Sequence, residues 1–187
     1  MDVADLLMGH RPADDVEAGH LRAALALVVL HCGEAPRRTT FEPGHLTASG
    51  LVVSPDRASV LLVHHAKLGI WVQPGGHIEA GDPDLESAAR REVAEETGLA
   101  DMAPLGLLDV DVHRIPASGD EPAHEHHDLR FGFVAGSWKV EAGDGAVDVR
   151  WVPLADLEAH DPDPGLRRAV RKLVAVEGEG EVAVREP

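Results

Sequence analysis

The sequence predicts an α/β fold preceded by a helical extension. Three features carry that reading. Ala48–Ser54 and Ser59–His65 are runs of strand-forming residues split by the turn Ser54-Pro55-Asp56-Arg57. Residues 82–98 carry the start, stripe and stop signals of one helix. Beyond it, 105–114 and 124–134 alternate as strands on either side of the polar loop 117–123. The chain has 187 residues with 44% apolar content, which suits one ordinary globular domain with a sizeable core.

In order along the chain, residues 1–42 form the predicted helical extension. Leu21, Leu25 and Val28, with Ala24 beside them, recur at helical spacing between about Val16 and His31, and Gly33 and Pro36 stop the pattern. This helix is expected to pack on the domain or on a second subunit, which leaves a homodimer open. The main domain is drawn from 43 to 177. The two strand runs open it, and Trp71-Val72-Gln73 is a short strand entering a glycine loop at Gly75-Gly76. Residues 146–152 are the last clear strand. Leu166, Ala169, Val170 and Leu173 mark a C-terminal amphipathic helix with Pro164 near its start. Residues 178–187, rich in Glu and Gly, are assigned to a flexible tail.

The helix after the glycine loop carries the chemistry. Asp82 is the expected N-cap, Pro83 the first helical residue and Gly98 the terminating glycine. Leu85, Ala88 and Ala89 make an apolar stripe, and the same face continues into Glu92, Glu95 and Glu96. Like charges at that spacing repel, and partly buried carboxylates must pair, protonate or bind a cation. Arg91 neutralises one of them, and the remainder calls for a hard divalent ion, Mg²⁺ or Mn²⁺.

Residues 76–99 resemble the Nudix box: glycine, five residues, Glu, seven residues, then Arg-Glu-apolar-any-Glu-Glu-any-Gly-apolar. Gly76 matches the first glycine, and Arg91-Glu92-Val93-Ala94-Glu95-Glu96-Thr97-Gly98-Leu99 matches the second half. Asp82 stands in place of Glu, and eight residues separate it from Arg91, an insertion expected to be absorbed before the helix. Arg150-Trp151-Val152-Pro153-Leu154 also resembles a segment that follows Nudix cores. The resemblance spans about residues 45–160. It implies an α/β/α sandwich with a mixed sheet. It further implies metal-dependent hydrolysis of a pyrophosphate bond in a nucleoside diphosphate linked to another moiety. Glu92, Glu95 and Glu96 would hold the metal with a Gly75 carbonyl, and Arg91 would orient them. The general base would be one of these glutamates or a downstream carboxylate such as Glu121 or Glu125. The alternative from another class is a non-catalytic nucleotide-sensing regulator, which the intact Arg-Glu and Glu-Glu set disfavours.

A second polar constellation lies at His124-Glu125-His126-His127-Asp128. On a strand, His124, His126, Asp128 and Arg130 share one face and Leu129, Phe131 and Phe133 the other. That polar face suits phosphate or metal contact at a cleft, or else simply faces water. The string also resembles part of a His-any-His-any-Asp-His zinc-hydrolase signature, but Leu129 takes the place of the last histidine. His77, His64, His65 and Lys67, near the box in sequence, are candidates for the substrate rim. Trp71 and Trp138 are candidate base platforms or core residues.

A net charge of −16 without a basic block argues against nucleic-acid and anionic-membrane partners, though not against a phosphate substrate bound with metal. One cysteine, Cys32, excludes an intrachain disulfide, and the apolar run 23–30 is too short for a bilayer span, so a cytoplasmic location is expected.

Overall fold

The computed structural model describes residues 2–183, with side chains to 176 apart from residue 32. Two N-terminal helices, α1 (Val3–Gly9) and α2 (Asp15–His31), precede the strands β1 (His45–Val53), β2 (Ser59–His65), β3 (Trp71–Val72) and β4 (Gly75–His77). Helix α3 (Leu85–Thr97) follows, then β5 (Met102–Ile115), β6 (His124–Ala135), β7 (Ala146–Pro153), a 3₁₀ segment (Leu154–His160) and α4 (Pro164–Ala183). The assigned tail overlaps the end of α4, and its last four residues, 184–187, lie outside the described ones.

The strands form one seven-stranded mixed sheet in the order β3-β2-β1-β6-β5, with β4 also pairing β1 and β7 pairing β2. The parallel pair is β1–β6, in register from His45 opposite His126 to Val53 opposite Val134. β1 is buried along its whole length, so its alternate side chains feed two different cores. Leu46, Ala48 and Val52 face α2 and α3, packing with Leu27, Leu85, Ala89, Val93 and Phe133. Leu51 and Val53 face α4, packing with Leu62, Leu166, Ala169 and Leu173. Helices on both faces of a mixed sheet make the α/β/α sandwich that the sequence predicts.

The N-terminal extension packs on the domain. Leu21, Leu25 and Val28 lie against the first core as their spacing requires. Glu17 of α2 is fully buried and accepts hydrogen bonds from the Val110 N–H at 3.2 Å and from Lys172 Nζ at 2.6 Å, joining α2 to β5 and α4. Burial pushes the Glu17 carboxyl up, but the bonds from His10 and Lys172 outweigh it and hold it at about 2. Among the described residues, no helix is long and apolar enough to cross a membrane.

Candidate active site

Helix α3 begins two residues later than the sequence suggests. Asp84, not Asp82, is the N-cap, accepting from the Ser87 N–H at 2.8 Å, and Pro83 lies outside the helix. The insertion explains the difference: it places Asp84 where a capping carboxylate is needed and frees Asp82 for another partner. Asp82 forms a two-point pair with Arg91, from Nε to Oδ1 at 3.0 Å and from Nη2 to Oδ2 at 2.9 Å. At the other end Gly98 takes the left-handed conformation at φ 68°, as expected. The last carbonyls of α3 are satisfied from outside, by the N–H groups of Glu141, Gly143 and Asp144. This segment between β6 and β7 carries no recognisable motif in the sequence.

Arg91 is the hub of the carboxylate cluster. Its Nη1 donates to Glu92 Oε1 and to Glu95 Oε2, each at 2.9 Å, and its Nη2 also donates to the His77 carbonyl at 2.9 Å. These bonds hold the guanidinium plane against the glycine strand and keep Arg91 charged, Asp82 being the largest cause.

The three glutamates are not equivalent. Glu95 is exposed and paired with Arg91. Glu92 is largely shielded, and burial pushes its carboxyl up despite the Arg91 contact. Glu96 is 7% exposed, accepts the Gly75 N–H at 3.1 Å and has no cationic partner among the described residues. Burial, with the neighbouring charges of Glu92 and Glu95 adding to it, pushes Glu96 up to about 7 against that one hydrogen bond.

Glycines make room for these carboxylates. A Cβ on Gly76 would lie 2.8 Å from the Glu92 carboxylate, and one on Gly145 would lie 3.0 Å from Glu96 Oε1. A half-desolvated, all-oxygen set held open between glycines fits a hard divalent cation. The donor chemistry of Glu92 and Glu96, with Gly75 beside them, matches the group that the sequence calls for.

The remaining predicted residues lie elsewhere. His77 follows the glycine pair on β4. His124 is buried and His126 half-buried, both on the α4 side of the sheet with His45. Asp128 and Arg130 are 2% exposed and spent within the fold. Asp128 accepts from Thr47 at 3.1 Å, Ser49 at 2.6 Å and Arg130 Nε at 3.1 Å. Arg130 also reaches Asp109 and Asp111, which Arg168 of α4 pairs in turn. This end of the face is shielded from water, with Gly165 and Arg168 of α4 packed against Asp111 and Arg130. Glu121 is exposed and paired with Arg38 at 2.9 Å, and exposed Glu125 is 3.7 Å from His127. Trp71 packs beside His64 and His160, whereas Trp138 is 49% exposed and edge-on to Trp151.

An α/β/α sandwich whose glycine strand and following helix gather carboxylates around one arginine defines a class of phosphate-handling domain. The family model of the NUDIX domain matches residues 44–173, and the chain belongs to that family. A Bacillus subtilis (strain 168) protein named for 8-oxo-dGTP diphosphatase activity is 32% identical over 104 residues, which are 54% of this chain and 62% of that protein. The chain thus spans less than two thirds of that relative's length. Among solved structures, a Nudix hydrolase from M. smegmatis superposes with a TM-score of 0.53 at 21% identity, covering 74% of this chain and 92% of the other. A C. elegans Ap4A hydrolase gives 0.52 at 15% identity, covering 72% and 98%. At these identities the two structures support the fold alone.

Proposed function

We propose that the chain is a metal-dependent pyrophosphohydrolase acting on a nucleoside diphosphate linked to another moiety. The observation that carries this reading is Glu96, a buried carboxylate without a cationic partner among the described residues, set beside Glu92 above the glycine strand. A group so placed is poorly stabilised as an anion until a cation joins it. Mg²⁺ or Mn²⁺ held by Glu92, Glu95 and Glu96, with the Gly75 carbonyl, would neutralise diphosphate oxygens and acidify a water molecule.

The chain's own residues do the remaining work. Asp82 fixes the Arg91 guanidinium, and Arg91 fixes Glu92 and Glu95, so two of the carboxylates are oriented before any ligand arrives. The Gly75 N–H fixes the third. In the overall reaction water adds to one phosphorus, the bridging P–O bond breaks, and the two phosphate products share the released proton. His77 serves the site through its carbonyl, which accepts from Arg91, while its ring turns toward His45 and His126. The exposed Trp138 is a candidate surface for a base. A cytoplasmic setting with a small-molecule substrate accords with the lone cysteine and the acidic surface.

The test is incubation of the purified chain with Mg²⁺ or Mn²⁺ and a panel of nucleoside diphosphate derivatives. Metal-dependent release of two phosphate-bearing products is expected, and Glu96→Gln should reduce it by orders of magnitude. Tight nucleotide binding without turnover on any panel member would favour the sensing regulator instead.

A further inference from the structure

The α4 side of the sheet carries a cluster of imidazoles that the carboxylate site does not use. His45 of β1, His77 of β4 and His126 of β6 bring one ring nitrogen each within 4.8 Å of one another. Their ring centroids lie 4.8 to 5.3 Å apart, and His124 stacks on His45 at 5.0 Å. The parallel register of β1 and β6 sets His45 directly opposite His126.

Two of these rings have their tautomer fixed. His45 Nδ1 lies 3.1 Å from the Thr40 carbonyl and His124 Nδ1 lies 2.8 Å from the Pro122 carbonyl. A carbonyl only accepts, so both Nδ1 atoms carry the proton, and in the neutral ring Nε2 is the nitrogen that presents a lone pair. That outer hydrogen bond is the arrangement that orients a metal-bound imidazole. His45 is fully buried, and its Nε2 has no hydrogen-bond partner among the described residues. A buried acceptor left unpaired is costly and calls for an occupant. With its proton on Nδ1, His124 accepts at Nε2 from His126 Nε2 at 3.2 Å, and a bound ion would replace that proton at nearly the same spacing, about 3.3 Å between two nitrogens on a tetrahedral zinc ion.

We propose that His45, His77 and His126, with His124 beside them, form a second metal site that takes a borderline transition-metal dication of the Zn²⁺ type. Nitrogen donors without a carboxylate among the three favour zinc over Mg²⁺, which prefers oxygen. The wider pairs, at up to 4.8 Å, must close by about 1.5 Å to reach that spacing. His77, half-buried on the three-residue strand β4, is the natural member to move. A bound ion would tie β4 to the central parallel pair β1–β6. It would thereby brace the strand whose His77 carbonyl and Gly75 N–H hold Arg91 and Glu96.

The inference is independent of the hydrolytic reading, and one experiment separates them. The full chain is stripped with a chelator and titrated with Zn²⁺ alone against a chromophoric competitor, in excess Mg²⁺. Binding of one Zn²⁺ per chain is expected, with a raised melting temperature. His77→Ala and His126→Ala should each weaken it by at least about 100-fold, whereas Glu96→Gln should leave it unchanged. If His126→Ala fails to fold, judged by circular dichroism, His77→Ala decides. Stoichiometric binding that survives His77→Ala, binding lost in Glu96→Gln, or no stoichiometric binding would each overturn the proposal.

Discussion

Replacing Glu96 with Gln should stabilise the metal-free protein at alkaline pH and abolish its response to Mg²⁺. The folded state holds a proton on Glu96 up to a pH of about 7, whereas the unfolded chain releases it near 4.5. Between those values the folded state binds more protons, so this group's contribution to stability falls as pH rises. That gap corresponds to about 3 kcal/mol at pH 8. Gln cannot ionise, and its amide oxygen still accepts the Gly75 N–H, so the variant escapes the penalty. The histidines held low, His77 at about 4 and His126 at about 2, oppose the trend. Kept neutral by burial, they favour folding as pH rises toward 6.5. The informative quantity is therefore the difference between variant and wild type. In EDTA that difference should be near zero at pH 4.5 and approach about 3 kcal/mol at pH 8, or about 6–12 °C in melting temperature. Added Mg²⁺ should then stabilise the wild type and not the variant. A difference that does not change with pH, or a variant less stable than wild type at pH 8 in EDTA, would refute the reasoning.

Further outcomes follow from the same contacts. Asp84→Ala removes the N-cap of α3 and should cost about 1 kcal/mol in urea denaturation, with turnover changed by no more than about twofold because Asp82 still holds Arg91. Gly76→Ala places a Cβ 2.8 Å from the Glu92 carboxylate and should weaken Mn²⁺ binding at least about tenfold, with the circular dichroism spectrum kept. Arg130→Met leaves buried Asp128 without its cation, while Asp109 and Asp111 keep Arg168, and should cost about 3–5 kcal/mol in urea denaturation. A cost below 1 kcal/mol would show that the network behaves as a surface array.

Much of the fold is legible because its signals are local. The 3.6-residue spacing of Leu21, Leu25 and Val28, the glycine after Thr97 and the strand runs around Ser54–Asp56 each act within a few residues. Their elements appear where expected. The N-cap does not, because Asp82 and Asp84 are chemically equal in sequence. Only the distance to Arg91 decides which caps and which pairs. The glutamate pattern likewise reads as three equal groups, whereas burial singles out Glu96 and the Arg91 reach takes Glu95. The alternation of Asp128 and Arg130 looks like a half-solvated strand until α4 contributes Arg168 and closes the face. His45 is illegible for the same reason. It stands alone in sequence at the head of β1, and only the parallel register sets it against His126.

The most direct test of the account is Mn²⁺ binding followed by electron paramagnetic resonance in wild type, Glu92→Gln, Glu96→Gln and His126→Ala. The carboxylate site predicts that both glutamine variants lose at least about tenfold in Mn²⁺ affinity while His126→Ala retains it. Wild-type affinity in Glu96→Gln would contradict the central claim that this buried carboxylate awaits a cation.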